Sequence, residues 1–303
     1  MTQFHIFGVA TGTGESFRRQ ALSAFPDCSL YTYSRQPSKI GIGAHFADFR
    51  KPEEFLPAGN LNTPSFWISF GPIWLLAPFF EQLALRYPER LAHLSGLIVS
   101  SSSSAITKRF ASNLFDRELA ARLTAAEDRL LSVSHSLGVE CRILRPTIIY
   151  GQIGPYDDRN FSRLIGLMRR LPLLPLPAQT GLRQPIHASQ LAAVALELAR
   201  QFTTSGWDPS LPERIALGGD SELSYAAMLR ALQQSLPQTD PARRCRVLSL
   251  PTRLFYAASS PLLLQSPKAF EAVLRMGSDL SGFIPAHQLL KAKPEPFPVL
   301  PLL

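Results

Sequence analysis

The stretch Phe4-His5-Ile6-Phe7-Gly8-Val9-Ala10-Thr11-Gly12-Thr13-Gly14 narrows most sharply what this chain can fold into. Its first residues read as a short buried strand, and three glycines at G-x-x-x-G-x-G spacing turn that strand straight into a helix. The spacing has a steric reason. One glycine allows the sharp exit from the strand, and the others let bare backbone and a helix N-terminus approach a pyrophosphate closely. Gly8, Thr11, Gly12, Thr13 and Gly14 are therefore candidate ligands of a dinucleotide. On the motif alone an ordinary strand-turn-helix stays open.

Beyond this turn the chain keeps a rhythm of alternating strands and helices. A helix is predicted over Ser16 to Phe25 and a strand over Ser29 to Tyr33, which ends where such folds grip the adenosine ribose, about 20 residues beyond the last glycine. Arg35 stands there instead of a carboxylate. A carboxylate suits a ribose 2′-hydroxyl and a guanidinium suits a 2′-phosphate, so the residue leans toward NADP over NAD, with a solvated loop arginine as the alternative. A third strand is read within Ile40 to Phe46, with Asp48 just beyond it, either facing the adenine or capping the turn after it.

Strands at Phe66 to Phe70 and Gly96 to Val99 come next, the first followed by a helix to about Tyr87 and the second running into Ser100-Ser101-Ser102-Ser103-Ser104. Leu119, Leu123, Ala126, Leu130 and Leu131 make one apolar face of a long helix from Leu114 to Leu137, while Glu127 and Asp128 beside Arg129 read as its solvated side. A sixth strand, Cys141 to Leu144, runs into Arg145-Pro146-Thr147-Ile148-Ile149-Tyr150-Gly151. This order argues for an α/β fold of the Rossmann type, a doubly wound parallel sheet whose ligands sit beyond the carboxyl ends of the strands.

The second half has a different texture. Leu171 to Pro177 reads as a Pro-Leu-rich connector, and Gly181 to His187 leads into a helix from Ser189 to Gln201. A strand Arg214 to Leu217, a helix Ser224 to Leu236 and helical pieces between Pro251 and Gly277 complete a smaller lobe. The expected division is a dinucleotide-binding domain over 1–150, with 184–201 returning to it, and a substrate-binding lobe over most of 151–303.

Charge and cysteine usage limit the partners. The net charge of +8 is carried by scattered residues and pairs such as Arg18-Arg19 and Arg243-Arg244. Pairs without a run fit an anionic small molecule better than nucleic acid. Three distant cysteines and no His pair at i, i+4 leave no metal site and fit a reducing, cytoplasmic compartment, as does the lack of a signal peptide. The apolar window Phe66 to Leu85 carries Gly71, Pro72, Pro78 and Glu81, so a buried strand and core helix explain it better than a membrane span. Leu254 to Leu264 is long enough to lie on a bilayer but not to cross it, a minor alternative.

With these residues laid out, the chain resembles the atypical and extended short-chain dehydrogenase/reductases, in particular the NAD-dependent epimerase/dehydratase family that acts on nucleotide sugars. The resemblance rests on the serine-rich end of the fifth strand, Leu144-Arg145-Pro146-Thr147 to Tyr150-Gly151, Arg183-Gln184-Pro185-Ile186-His187-Ala188-Ser189-Gln190-Leu191-Ala192 and Gly282-Phe283-Ile284-Pro285. It implies an NAD(P)-dependent oxidoreductase or epimerase, with Pro146 against the nicotinamide, Arg183 on substrate phosphates and Ser102 at the position of the catalytic serine or threonine. The family's proton-transfer pair, Tyr-x-x-x-Lys on the helix after the fifth strand, is missing, because no tyrosine lies between Tyr87 and Tyr150 and Lys108 is the only lysine from 101 to 150. Ser102 and Lys108 are thus the candidate catalytic residues. A cofactor-binding but catalytically silent sensor or structural subunit is the alternative, and a homodimer is left open.

Overall fold

The computed structural model describes residues 2–26, 28–37 and 43–300. The opening strand β1 (Gln3–Phe7) is wholly buried and leads through the glycine turn into α1 (Gly12–Ala24). The helix thus starts four residues before the predicted Ser16, because Thr11 caps it: the Thr11 hydroxyl accepts the Gly14 N–H at 3.1 Å and donates to the Gly8 carbonyl at 2.8 Å. Then come β2 (Ser29–Ser34), β3 (Ala44–Phe46), β4 (Ser65–Ser69), α2 (Ile73–Arg86), β5 (Leu94–Ser100), the single turn α3 (Ser104–Thr107), α4 (Leu114–Ser136) and β6 (Glu140–Pro146). Residues 40–42 of the expected third strand lie outside the described residues.

The rest of the chain supplies β7 (Ile149–Tyr150), α5 (Arg159–Arg170), β8 (Leu173–Pro177), β9 (Leu182–Arg183), β10 (Ile186–His187), α6 (Ala188–Ser205) and β11 (Arg214–Gly218). After these come β12 (Leu223–Ser224), α7 (Tyr225–Ser235), β13 (Arg246–Leu250), α8 (Thr252–Ser259), α9 (Pro261–Gln265), α10 (Pro267–Leu274), β14 (Ile284–Pro285) and α11 (Ala286–Leu290).

Eight strands form one parallel sheet in the order β14-β11-β6-β5-β4-β1-β2-β3. It is the Rossmann-type α/β fold that the element rhythm predicts. The order reverses at β1, with β2 and β3 on one side and β4 to β6 on the other, and this reversal opens the crevice beyond the strand ends. Two apolar layers sandwich the sheet. One packs α2 and α4 on Trp67, Leu97 and Val99, and the other packs α1 and α6 on Ile6, Ile68 and Ile98.

Two expectations are corrected. The strand at Arg214 belongs to the central sheet rather than to a separate lobe: β11 pairs with β6, and β14, from the Gly282-Phe283-Ile284-Pro285 segment, extends the sheet beyond it. The apolar residues Ile215 and Leu217 of β11 are fully buried against the α6 layer, which no local signal announces. The Pro-Leu connector is in part a strand, β8, paired parallel with β13 in a two-stranded sheet. Pro175 and Pro177 are tolerated because β8 has a single partner and so needs donors on one side only. Around it a third core gathers Tyr150, Phe161, Met168, Leu176, Met228 and Leu232.

Candidate functional site

The carboxyl ends of β1 to β5 open into a cavity of about 930 Å³. Gly8 and Thr11 line one end, Arg35 and Asp48 another, and Ser101 and Ser102 the floor near α4. Gly8 has φ +78°, and a Cβ there would stand 2.6 Å from the Gly71 nitrogen, so only glycine lets β1 and β4 end this close together. Gly14 is locked in another way: a Cβ would lie 2.3 Å from the Gly8 carbonyl oxygen, which is how α1 packs straight onto the turn. A Cβ on Gly12 would meet only Ile153 and Ala188 at ordinary distances, 3.6 and 3.7 Å. The fold therefore demands glycine at 8 and 14 but not at 12. Thr13 and Gly14 are buried under the helix start, so of the five turn residues named from the sequence only Gly8 and Thr11 reach the cavity wall.

At the β2–β3 end Arg35 is exposed and Asp48 is buried, and both face the cavity. The Asp48 carboxylate accepts from Arg50 through Nη2 at 2.7 Å and Nε at 3.0 Å, and also takes the Arg50 backbone N–H. Hydrogen bonding by Arg50, against the opposing effect of burial, and the charges of Arg50 and Arg35 hold its carboxyl down at about 2. Asp48 thus holds Arg50 in a two-point ion pair and feels the charge of Arg35 on the cavity wall. Beneath them Tyr33 accepts the Ala58 N–H at 2.8 Å and shares a hydrogen bond of 2.8 Å with His5 Nδ1. Burial pushes the Tyr33 phenol above its ordinary range and pulls His5 down to about 4, His45 adding to the latter.

A second cavity of about 610 Å³ adjoins the first and shares Ser101, Ser102, Ser104 and Ile149 with it. Pro146, at the end of β6, lines it, and the Pro146 carbonyl accepts the Ser103 N–H at 2.8 Å, fastening the serine run to β6. Its charged lining is four cations, Lys108, Arg183, Lys268 and Arg275, and the one carboxylate Asp116. Lys108 Nζ lies 2.6 Å from Asp116 Oδ1, with Arg275 at 3.8 Å from the other oxygen. Burial works against the Asp116 charge, but the hydrogen bonds from Lys108 and Asn113 with the Lys108 charge outweigh it and lower the carboxyl pKa. Arg183 is buried and spends three donors on the backbone carbonyls of Leu182 and Ser278, each at 2.7 Å, and of Arg275. It ties β9 to the turn after α10, and burial lowers its pKa.

Ser102 Oγ accepts the Ser104 N–H at 3.2 Å and stands where the cavities meet. Ser101 is turned away, donating to Glu127 Oε1 at 2.5 Å. Glu127 corrects the expectation of a solvated face: it is completely buried and paired with Arg145 and Arg214, because α4 presses that side against β6 and β11. On α4, the helix after the fifth strand, two side chains line the first cavity: Leu119 and Leu123, spaced i, i+4. That is the spacing of Tyr-x-x-x-Lys, and with leucine at both positions α4 presents neither a phenol nor an ammonium to this cavity.

The structure thus gathers Gly8, Thr11, Arg35, Asp48 and Ser102 around one cavity and Ser102, Lys108, Pro146 and Arg183 around the next. Arg50, Lys268, Arg275 and the two leucines were not singled out from the sequence. The leucines belong to the apolar stripe of α4, and periodicity cannot separate a side chain facing core from one facing a cavity. Among the described residues no group of His, Cys, Asp and Glu is placed to hold a metal ion, and no helix is long and apolar enough to cross a membrane.

No protein-family model matches the chain, and no curated protein is similar to it. Solved structures share its fold over nearly the whole length. UDP-glucose 4-epimerase from Bifidobacterium longum in complex with NAD+ and UDP superposes with a TM-score of 0.59 at 12% identity, covering 97% of this chain and 93% of that one. UDP-glucuronic acid 4-epimerase from Bacillus cereus with NAD gives 0.58 at 14%, covering 96% and 93%. Gre2 from Candida albicans with NADPH gives 0.61 at 9%, covering 98% and 95%.

Proposed function

We propose that this chain binds NAD(P) in the larger cavity and an anionic small molecule of the nucleotide-sugar kind in the smaller one, as an NAD(P)-dependent oxidoreductase or epimerase. The observation that carries the reading is the continuity of the two cavities at Ser102, with a glycine-floored strand end on one side and four cations on the other. The solved structures of the same fold that contain NAD or NADPH support it.

The residues fit the cofactor. Gly8, Ala10 and Thr11 line the cavity where α1 begins, so a pyrophosphate there would lie at the positive end of the helix. Arg35, exposed on the cavity wall, would take a 2′-phosphate, which leans the site to NADP. Pro146 would flank the nicotinamide, whose ring accepts or donates hydride when bound. Ser102 would hydrogen-bond the oxygen whose carbon changes oxidation state, and Lys108, with its ammonium on Asp116, would orient it electrostatically. Arg183 would sit behind the substrate phosphates with Lys268 and Arg275 nearer the open cavity.

A second reading, a cofactor-binding but catalytically silent protein, draws on Leu119 and Leu123. Hydride transfer at an alcohol carbon has to be matched by a proton at its oxygen, and neither leucine carries one. The wall they make also offers the nicotinamide ribose no hydrogen bond.

A thermal-shift titration with NADP, NAD and their reduced forms tests the common premise, since a ligand bound only by the folded state raises the melting temperature. No shift with any of them rejects both readings. With NADP bound, Arg35→Ala abolishes the preference over NAD, and an unchanged preference refutes its role. Absorbance in the reduced-nicotinamide band during addition of UDP-sugars separates the readings: turnover that falls in Ser102→Ala supports the enzyme, and binding without redox change or epimerised product supports the silent protein.

A further inference from the structure

We infer that this chain docks on an anionic membrane surface through the face where α10 meets the α3–α4 junction. The two segments are joined by Lys268 Nζ, 3.9 Å from the centre of the Phe115 ring, by the Ser112 N–H donating to Glu271 at 3.1 Å, and by Arg275 donating to Thr107 at 3.3 Å. Around this joint large apolar side chains stand in water: Phe110 is 90% exposed, Leu114 61% and Phe115 54% on one segment, and Leu264 91%, four residues before Lys268, on the other. Leu254, on α8, which packs against α9 and α10, adds another at 58%. Isolated exposed leucines are ordinary, but two phenylalanines and three leucines beside one joint mark an interaction surface.

Charge selects the occupant. On the α8–α10 side Arg253 and Lys268 are exposed, and no aspartate or glutamate lies between 251 and 270. Arg109 and Arg117 are exposed beside Phe110 and Phe115, with Glu118 the one exposed acid of the 104–118 segment. Asp116, the acid between them, is buried and neutralised by Lys108, and Glu271 is buried under the Ser112 N–H. A basic rim around apolar tips is what partitions into the headgroup layer of an anionic bilayer, the rings and leucines entering the acyl boundary while the cations meet lipid phosphates. Helices α8 to α10 have eight, five and eight residues, too short to span, so they lie on the surface. Lys268, which also lines the smaller cavity, then lies beside the headgroups.

Co-sedimentation of the full chain with phosphatidylcholine vesicles and with phosphatidylcholine/phosphatidylglycerol vesicles tests this without any cofactor. The expected result is binding to the anionic vesicles only, lost at ~1 M salt, where the screening length is about 3 Å. Phe110→Asp and Leu264→Asp each lower partitioning on the order of tenfold, as loss of a buried apolar side chain requires, and Leu85→Asp, also exposed but at the end of α2 that lies beyond the Glu81–Arg129 pair, leaves it unchanged. Absence of binding to the anionic vesicles overturns the proposal, as does binding that survives both substitutions. A dimer in light scattering that Phe110→Asp dissociates also overturns it, by assigning the face to a second copy of this chain. Failure of NAD(P) to bind would leave this result untouched, so the two proposals fall separately.

Discussion

Gly12→Ala and Gly14→Ala, compared in one experiment, separate what the fold needs in the glycine turn from what a ligand needs. At Gly14 an added Cβ would stand 2.3 Å from the Gly8 carbonyl oxygen and 2.8 Å from the Val9 Cα, both backbone atoms that cannot rotate away. About 1 Å of clearance is missing, and relieving it by moving α1 off the turn is overpacking, which costs roughly 1–3 kcal/mol. For a chain of this size that lowers the melting temperature by about 2–5 °C. At Gly12 the Cβ meets Ile153 and Ala188 in ordinary contact and φ is not positive, so alanine stiffens the unfolded chain at no steric cost and stabilises by about 0.4–1 kcal/mol.

The apo protein carrying Gly12→Ala should therefore melt slightly higher than wild type and Gly14→Ala clearly lower. With NADP the gap widens. A ligand at a hundred times its Kd stabilises the wild type by about 2.7 kcal/mol; alanine at 12, whose Cβ points at Ile153 and Ala188 rather than into the cavity, keeps that gain, whereas Gly14→Ala, which moves α1 off the turn, reduces it. Differential scanning fluorimetry with and without NADP reads both effects. Should Gly12→Ala lose the ligand shift, the ligand reaches the Ile153 and Ala188 side of the turn rather than the cavity. Should Gly14→Ala melt like wild type, the packing of α1 onto Gly8 is not what fixes the turn.

The remaining predictions concern buried charges. His5 has its pKa lowered to about 4 by burial, so the unfolded chain takes up a proton below pH 6.5 that the fold refuses until about 4. Stability contributed by the neutral ring is complete above 6.5 and lost as pH falls toward 4, by up to roughly 3 kcal/mol; His5→Gln should flatten this part of the urea midpoint against pH, and an unaltered slope would assign it to other groups. Glu127→Ala should cost about 3 kcal/mol in denaturant unfolding, because it strands Arg145 beside β6, while Arg214 keeps Asp128. A loss below ~1 kcal/mol would mean that water reaches the stranded guanidinium group.

Reading the residues in order reached the fold because its signals are local. Short apolar strands, each leading to a helix with one apolar face, leave a parallel sheet as the economical arrangement, and Gly8, Thr11, Arg35, Asp48 and Ser102 fall into place because they stand where strands end. The same locality explains what was misplaced. Whether β11 joins the main sheet depends on Ile215 and Leu217 finding α6, a packing partner that the residues around Arg214 do not encode. Glu127 looks solvated beside Asp128 and Arg129 until the sheet brings Arg145 and Arg214 against it. Composition and spacing determined the α/β order and the ring of strand-end residues, since both arise within a few neighbours along the chain. Which face of α4 closes the crevice with leucines, which cation sits on Asp116 and which guanidinium is consumed by backbone carbonyls were decided by tertiary structure alone. Those outcomes depend on side chains meeting across dozens of residues, where burial and pairing are set by the surroundings rather than by the residue itself.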